Sequence, residues 1–195
     1  LSSAASDVYK RQLTQLVATN PKSVAMGQRL ADCYEKTGNL QMAKNTYTNL
    51  IRLGKIPADV YYRYAILCMK TDDKDKAETI FKKVIQLDPK NPYAHKDLGV
   101  VYLTQRLFDY AKEEFETAYK MAPEDSAVVF EMANFYHAMN DFQKAKELYE
   151  KAFKLAPEVM DIAVFRAINY LRLNEIDTAL ELFLDAMKKY PSQHI

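Results

Sequence analysis

The stretch Lys96–Pro123, KDLGVVYLTQRLFDYAKEEFETAYKMAP, decides the fold. Nearly every residue in it suits a helix, yet Gly99 stands early in its first half. A glycine inside a helix costs ~0.5–1 kcal/mol relative to alanine. Sliding the sequence against itself by 34 residues supplies a reason to keep it. Gly99 falls in the series Ala31, Ala65, Gly99, Ala133, Ala167, in which every member is small. A second small series, Ala43, Ala77, Ala111, Ala145, Ala179, has no exception. Four residues after it runs an unbroken aromatic series, Tyr47, Phe81, Phe115, Tyr149, Phe183. Another series holds Tyr34, Tyr102, Tyr136 and Tyr170, with Cys68 in the remaining slot. Pro89, Pro123, Pro157 and Pro191 close successive periods. Small residues beside large ones, repeated in register, predict two antiparallel helices in close contact, with the two small series as the seam. Each period therefore reads as helix, turn, helix, turn. In residues 92–125 the helices are expected at about 92–105 and 108–121, with Arg106–Leu107 at the turn. The counterparts of that turn are Gly38–Asn39, Asp72–Asp73, Asn140–Asp141 and Asn174–Glu175, all good turn or cap residues.

Leu98-Gly99-x-x-Tyr102, followed by Ala111, Phe115, Ala118 and Pro123, resembles the tetratricopeptide repeat. The resemblance covers five repeats, 24–57, 58–91, 92–125, 126–159 and 160–193. The tryptophan frequent in the family's first helix is replaced by Gly27, Tyr61, His95, Val129 and Ala163. The resemblance implies an all-α solenoid of antiparallel helix pairs, about 11 helices, wound as a right-handed superhelix whose concave groove is lined by first helices. Residues 13–23 are expected to form the second helix of a truncated preceding repeat. Residues 1–12, LSSAASDVYKRQ, resemble translated sequencing-adaptor sequence and are expected to be a non-native or frayed tail. The first residue is Leu, so the chain reads as a fragment.

Composition narrows the function. The 195 residues are 49% hydrophobic and 27% charged, with net charge +1. That balance gives no general case for nucleic acid or an anionic membrane. The charge is uneven: residues 1–91 sum to +6 and residues 92–195 to −5, a polar long axis. Cys33 and Cys68 are too few and too far apart for a disulfide framework or metal site. They read as buried reduced thiols, which points to a reducing, cytoplasmic compartment. No apolar run approaches the ~18–20 residues of a membrane span. His95, His137 and His194 stand apart from any ligand cluster, and there is no glycine-rich phosphate loop. No catalytic residue, metal site or cofactor is expected, and no enzyme activity. His95 fills a packing slot, whereas His137 should face the groove.

The expected groove residues are Tyr62, Arg63, Ile66, Met69 and Lys70 from repeat two and Lys96, Val100 and Leu103 from repeat three. Repeat four adds Phe130, Asn134 and His137, and repeat five adds Phe165, Ile168 and Arg172. Repeat one is polar there, with Gln28, Arg29, Asp32, Glu35 and Lys36. Apolar anchors with a polar rim suit a protein or peptide partner. Some family members clamp a chaperone tail's carboxylate with Lys, Asn and Arg side chains; neither possible frame of this sequence reproduces that set. The first helix of repeat five, MDIAVFRAINYLRL, is apolar on most sides. It is expected to be covered by residues beyond 195 or to meet a partner, including a second copy. The leading expectation is a protein-interaction scaffold. The alternatives are a docking or regulatory array of a larger enzyme or co-chaperone, and a self-assembling structural module.

Overall fold

The computed structural model describes residues 3–20 and 22–190. Pro21, Pro191 and His194 lie outside the described residues, as do the first two residues of the 1–12 segment. Among the described residues there are eleven helices and no strand. They are α1 (Ser3–Thr19), α2 (Val24–Lys36), α3 (Leu40–Arg52), α4 (Ala58–Lys70), α5 (Lys74–Leu87), α6 (Pro92–Thr104), α7 (Phe108–Met121), α8 (Ser126–Ala138), α9 (Phe142–Leu155), α10 (Met160–Arg172) and α11 (Ile176–Lys189). The chain divides into two compact units, residues 1–89 and 90–195. Within each, helices pack chiefly on their sequence neighbours, as in a solenoid of antiparallel pairs.

The helix starts follow from side chains that satisfy the free N–H groups of the first turn. Asn91 Oδ1 accepts from the N–H of Tyr93 at 3.1 Å and of Ala94 at 3.2 Å, and Pro92 follows at the first helical position. Asp125 Oδ1 accepts from Ala127 and Val128, each at 3.0 Å. Ser23 caps α2 through the N–H of Met26.

The stops inside each pair share one geometry. Gly38, Asp72, Arg106, Asn140 and Asn174 all have φ between 55° and 75°. The N–H of the next residue then reaches back to a helix carbonyl five residues earlier: Asn39 to Tyr34, Asp73 to Cys68, Leu107 to Tyr102, Asp141 to Tyr136 and Glu175 to Tyr170, at 2.8–3.0 Å. This is the left-handed helix stop that favours glycine and asparagine.

The two small series are buried throughout: Ala31, Ala43, Ala65, Ala77, Ala111, Ala133, Ala145, Ala167 and Ala179 expose no surface, and Gly99 is buried with them. A Cβ placed on Gly99 would lie 2.9 Å from Cδ1 and Cε1 of Phe115. The space over Gly99 is thus taken by an aromatic ring of the partner helix, a refinement of the expectation that the helices themselves approach too closely. Ala133, Ala145 and Tyr149 form one core cluster, with Phe130, Tyr136 and Leu148 packed against it. Both cysteines are free and buried, and burial pushes the Cys68 thiol up to about 11.

Candidate functional site

In the N-terminal unit, α2 and α4 are both first helices and lie side by side. Between them, with the start of α3, is a cavity of about 610 Å³ lined by Asp32, Glu35, Lys36, Leu40, Tyr62, Arg63, Ile66 and Lys70. Its volume lies within the range of ligand pockets, roughly 300–1,000 Å³. Helical spacing places each group. Tyr62, Ile66 and Lys70 recur every four residues, so they share one face of α4. Asp32 and Glu35 stand three apart on α2 and face them. Two ion pairs cross the cleft. Arg63 Nη1 donates to Asp32 Oδ1 at 3.1 Å and Oδ2 at 3.3 Å, and Lys70 Nζ donates to Glu35 Oε2 at 3.2 Å. Beneath them the buried Tyr47 hydroxyl lies 3.4 Å from both Asp32 Oδ1 and Glu35 Oε1. Burial, reinforced by those two carboxylates, drives the Tyr47 phenol well above its ordinary range, so it remains a proton donor to the acidic wall. The apolar wall is Tyr62, Ile66 and Leu40. Tyr62 is held edge-on to Phe81 with ring centroids 5.9 Å apart.

The structure therefore brings together four of the five residues expected from repeat two; Met69 is half-buried and does not line the cavity. Asp32, Glu35 and Lys36 join them from repeat one. Leu40 came unannounced, because it belongs to a second helix and only the fold brings it to the cleft.

In the C-terminal unit the expected residues separate into two kinds. Phe130 of α8 and Phe165 of α10 meet edge to face at 5.5 Å, and Phe165 stays exposed. Val100, Leu103 and Ile168 are half-buried. The polar members are engaged within the fold. Lys96 Nζ donates to Asp97 Oδ1 at 2.6 Å, and little of either side chain reaches solvent. Asn134 Oδ1 accepts from the Tyr149 hydroxyl at 2.7 Å, while its Nδ2 donates to Glu131 Oε2 at 3.1 Å. Burial pushes the Glu131 carboxyl up, and Asn134 and Lys96 offset it in part. Arg172 lies over the Phe142 ring. His137 Nδ1 is 2.9 Å from Asn169 Oδ1, and Asn169 Nδ2 donates to the Phe142 carbonyl at 2.9 Å. With its amide nitrogen so committed, Asn169 accepts and His137 Nδ1–H donates.

Fully buried Asn169 was not anticipated, though a signal existed. The series Cys33, Leu67, Val101, Phe135, Asn169 is apolar until its last member. His95 Nδ1 is 2.6 Å from Glu114 Oε2 and largely buried, in keeping with its packing slot. Among the described residues no group of three or more His, Cys, Asp or Glu side chains could hold a metal ion. None of the described helices is long and apolar enough to cross a membrane.

Residues 28–154 match the family model of the cilia and flagella-associated protein 70 middle TPR-like domain, and residues 130–194 match that of the tetratricopeptide repeat. The chain belongs to the tetratricopeptide-repeat family. No curated protein sequence matches it. Solved tetratricopeptide-repeat structures share its fold. MamA (residues 41 to the end) from Desulfovibrio magneticus RS-1 aligns at a TM-score of 0.73 and 23% identity, over 88% of this chain and 97% of that one. A tetratricopeptide repeat protein from Parabacteroides merdae ATCC 43184 gives 0.81 and 14%, over 92% and 72%. YrrB, described as a TPR protein with an unusual peptide-binding site, gives 0.64 and 16%, over 93% of each chain. At these identities the likeness is one of fold.

Proposed function

We propose that this tetratricopeptide-repeat chain is a protein-interaction module that seats a peptide segment of a partner on its first-helix faces, with the α2–α4 cleft as principal seat. The observation that carries this is the pairing of an apolar wall with exchangeable charges. The Arg63–Asp32 and Lys70–Glu35 pairs are partly solvated, and such pairs contribute only ~0–1 kcal/mol. A ligand carrying its own acid and base can replace them at little cost, while an apolar side chain between those charges fills the space against Tyr62 and Ile66. The family membership and YrrB's peptide-binding site support the same class of function. Phe130 and Phe165 offer a second apolar contact in the C-terminal unit, and the half-buried Val100, Leu103 and Ile168 are further groove residues on this reading. The free thiols Cys33 and Cys68 suit a reducing, cytoplasmic setting.

Peptides selected on the chain from a displayed library test this. They should carry an apolar residue between opposite charges. Tyr62→Asp or Arg63→Glu should weaken the selected peptide at least about tenfold, or ~1.4 kcal/mol, with helicity unchanged. Selection of no peptide, or of peptides indifferent to both substitutions, would refute the reading.

A further inference from the structure

The first helix of repeat five, apolar on most sides in sequence, uses much of that surface inside the fold: α10 buries Ile162, Ala163 and Ala167. The apolar exposure that repeat stacking does not account for lies within the array, at the turn from α6 to α7. Leu107, Phe108 and Tyr110 are 41%, 39% and 59% exposed, although α8 packs on α7.

The residues of this turn are not those the fold asks for. Leu107 stands at the N-cap of α7, a position held in the other repeats by Asn39, Asp73, Asp141 and Glu175. A leucine cannot accept from the free N–H groups of the first turn, and α7 has no side-chain cap. Arg106 holds φ at 61°, where glycine or asparagine serves better. Phe108 is bare for an identifiable reason. One repeat later its counterpart Phe142 lies under the Arg172 guanidinium at 5.1 Å and beside the His137 ring at 5.2 Å. The matching positions around Phe108 hold Ala138 and Leu103, and an alanine is too short to cover a ring.

The turn therefore presents Arg106-Leu107-Phe108-Asp109, two apolar side chains between a base and an acid, all four exposed. The corresponding residues elsewhere are Gly-Asn-Leu-Gln from 38, Asp-Asp-Lys-Asp from 72, Asn-Asp-Phe-Gln from 140 and Asn-Glu-Ile-Asp from 174; none has that pattern. It is the pattern that the α2–α4 cleft fits, with an apolar wall of Leu40, Tyr62 and Ile66 set between exchangeable ion pairs. We infer that the α6–α7 turn of one copy of this chain seats in the α2–α4 cleft of a second copy. Leu107 and Phe108 lie against the apolar wall. Arg106 takes the place of a base on Asp32 or Glu35, and Asp109 receives the base so released, with Lys36 as a third base on the same lining. The inference rests on the reading of that cleft as a peptide seat. The two surfaces are different, so the contact is head-to-tail: each copy offers a turn and a cleft, and copies can add in series. One turn in one cleft is a small interface, which places the association in the weak, micromolar class.

Sedimentation of the full chain between about 5 and about 200 µM provides the test. The average mass should rise reversibly with concentration. Phe108→Asp, which removes the turn's anchor, and Tyr62→Asp, which spoils the cleft, should each weaken association at least about tenfold with unchanged circular dichroism. Arg106→Glu should weaken it as well, and Arg106→Lys should retain it. Mixed together, the Phe108→Asp and Tyr62→Asp chains should form pairs and nothing larger, because one supplies the only sound cleft and the other the only sound turn. Peptides selected on the cleft should still bind the Phe108→Asp chain. A chain that binds such peptides yet keeps one mass over the whole range overturns this inference alone and leaves the cleft reading intact. Association that survives either Phe108→Asp or Tyr62→Asp overturns it too, as does a mixture of the two variants that stays monomeric.

Discussion

Gly99 concentrates the residue-scale physics of this chain. Replacing a helical glycine by alanine ordinarily stabilises by ~1 kcal/mol. Here the added methyl would stand 2.9 Å from the Phe115 ring, which is buried and backed by Phe135 at 5.6 Å. Overpacking of that kind costs ~1–3 kcal/mol. Gly99→Ala is therefore expected to lower stability by about 1 kcal/mol in urea unfolding, the packing cost exceeding the helix gain. In a Phe115→Leu background the same substitution should become neutral or stabilising, since the ring is gone. A Gly99→Ala chain that gains stability by itself would show that the ring has room to move. That a small residue was required at position 99 was legible from its series. That a ring, and not a backbone, fills the space was not, because a repeat pattern gives size at a position but not the direction from which a neighbour arrives.

At the scale of the element, the helix–turn–helix stops illustrate how a repeat register carries a residue that local chemistry disfavours. Gly38, Asp72, Asn140 and Asn174 are residues that accept positive φ readily, and each announced its turn. Arg106 has φ 61° and did not; only its place in the 34-residue period located it. A left-handed conformation costs a non-glycine residue ~1–2 kcal/mol, offset in a glycine variant by the larger entropy of its unfolded chain. Arg106→Gly should raise stability by about 0.5–1 kcal/mol in urea unfolding and leave the helical content unchanged. The side chain is exposed, so little packing is lost. A destabilised glycine variant would mean that Arg106 makes a contact outweighing its backbone strain.

For the whole molecule, the consequence of stacking is that energy is local. Within the C-terminal unit α9 packs on α8 and α10. Ala145, fully buried in the seam of repeat four, packs with Ala133 and Tyr149. Ala145→Leu should cost ~1–3 kcal/mol and speed amide exchange in α8–α10, while protection in α2–α4 stays as it was. Uniform loss of protection along the chain would contradict a neighbour-by-neighbour ledger. The sequence by itself determined the all-helical repeat, its period, the buried seam and the helix on which each anchor sits, because 34-residue periodicity and helical spacing are one-dimensional and repeat five times. Only the tertiary structure decided which of those anchors do something beyond packing. It put Arg63 on Asp32 and Lys70 on Glu35 across a cleft, and drew Asn134 and His137 into bonds with Tyr149 and Asn169. Those outcomes depend on distances between helices, and a single chain's pattern records which face a side chain takes but not what stands opposite it.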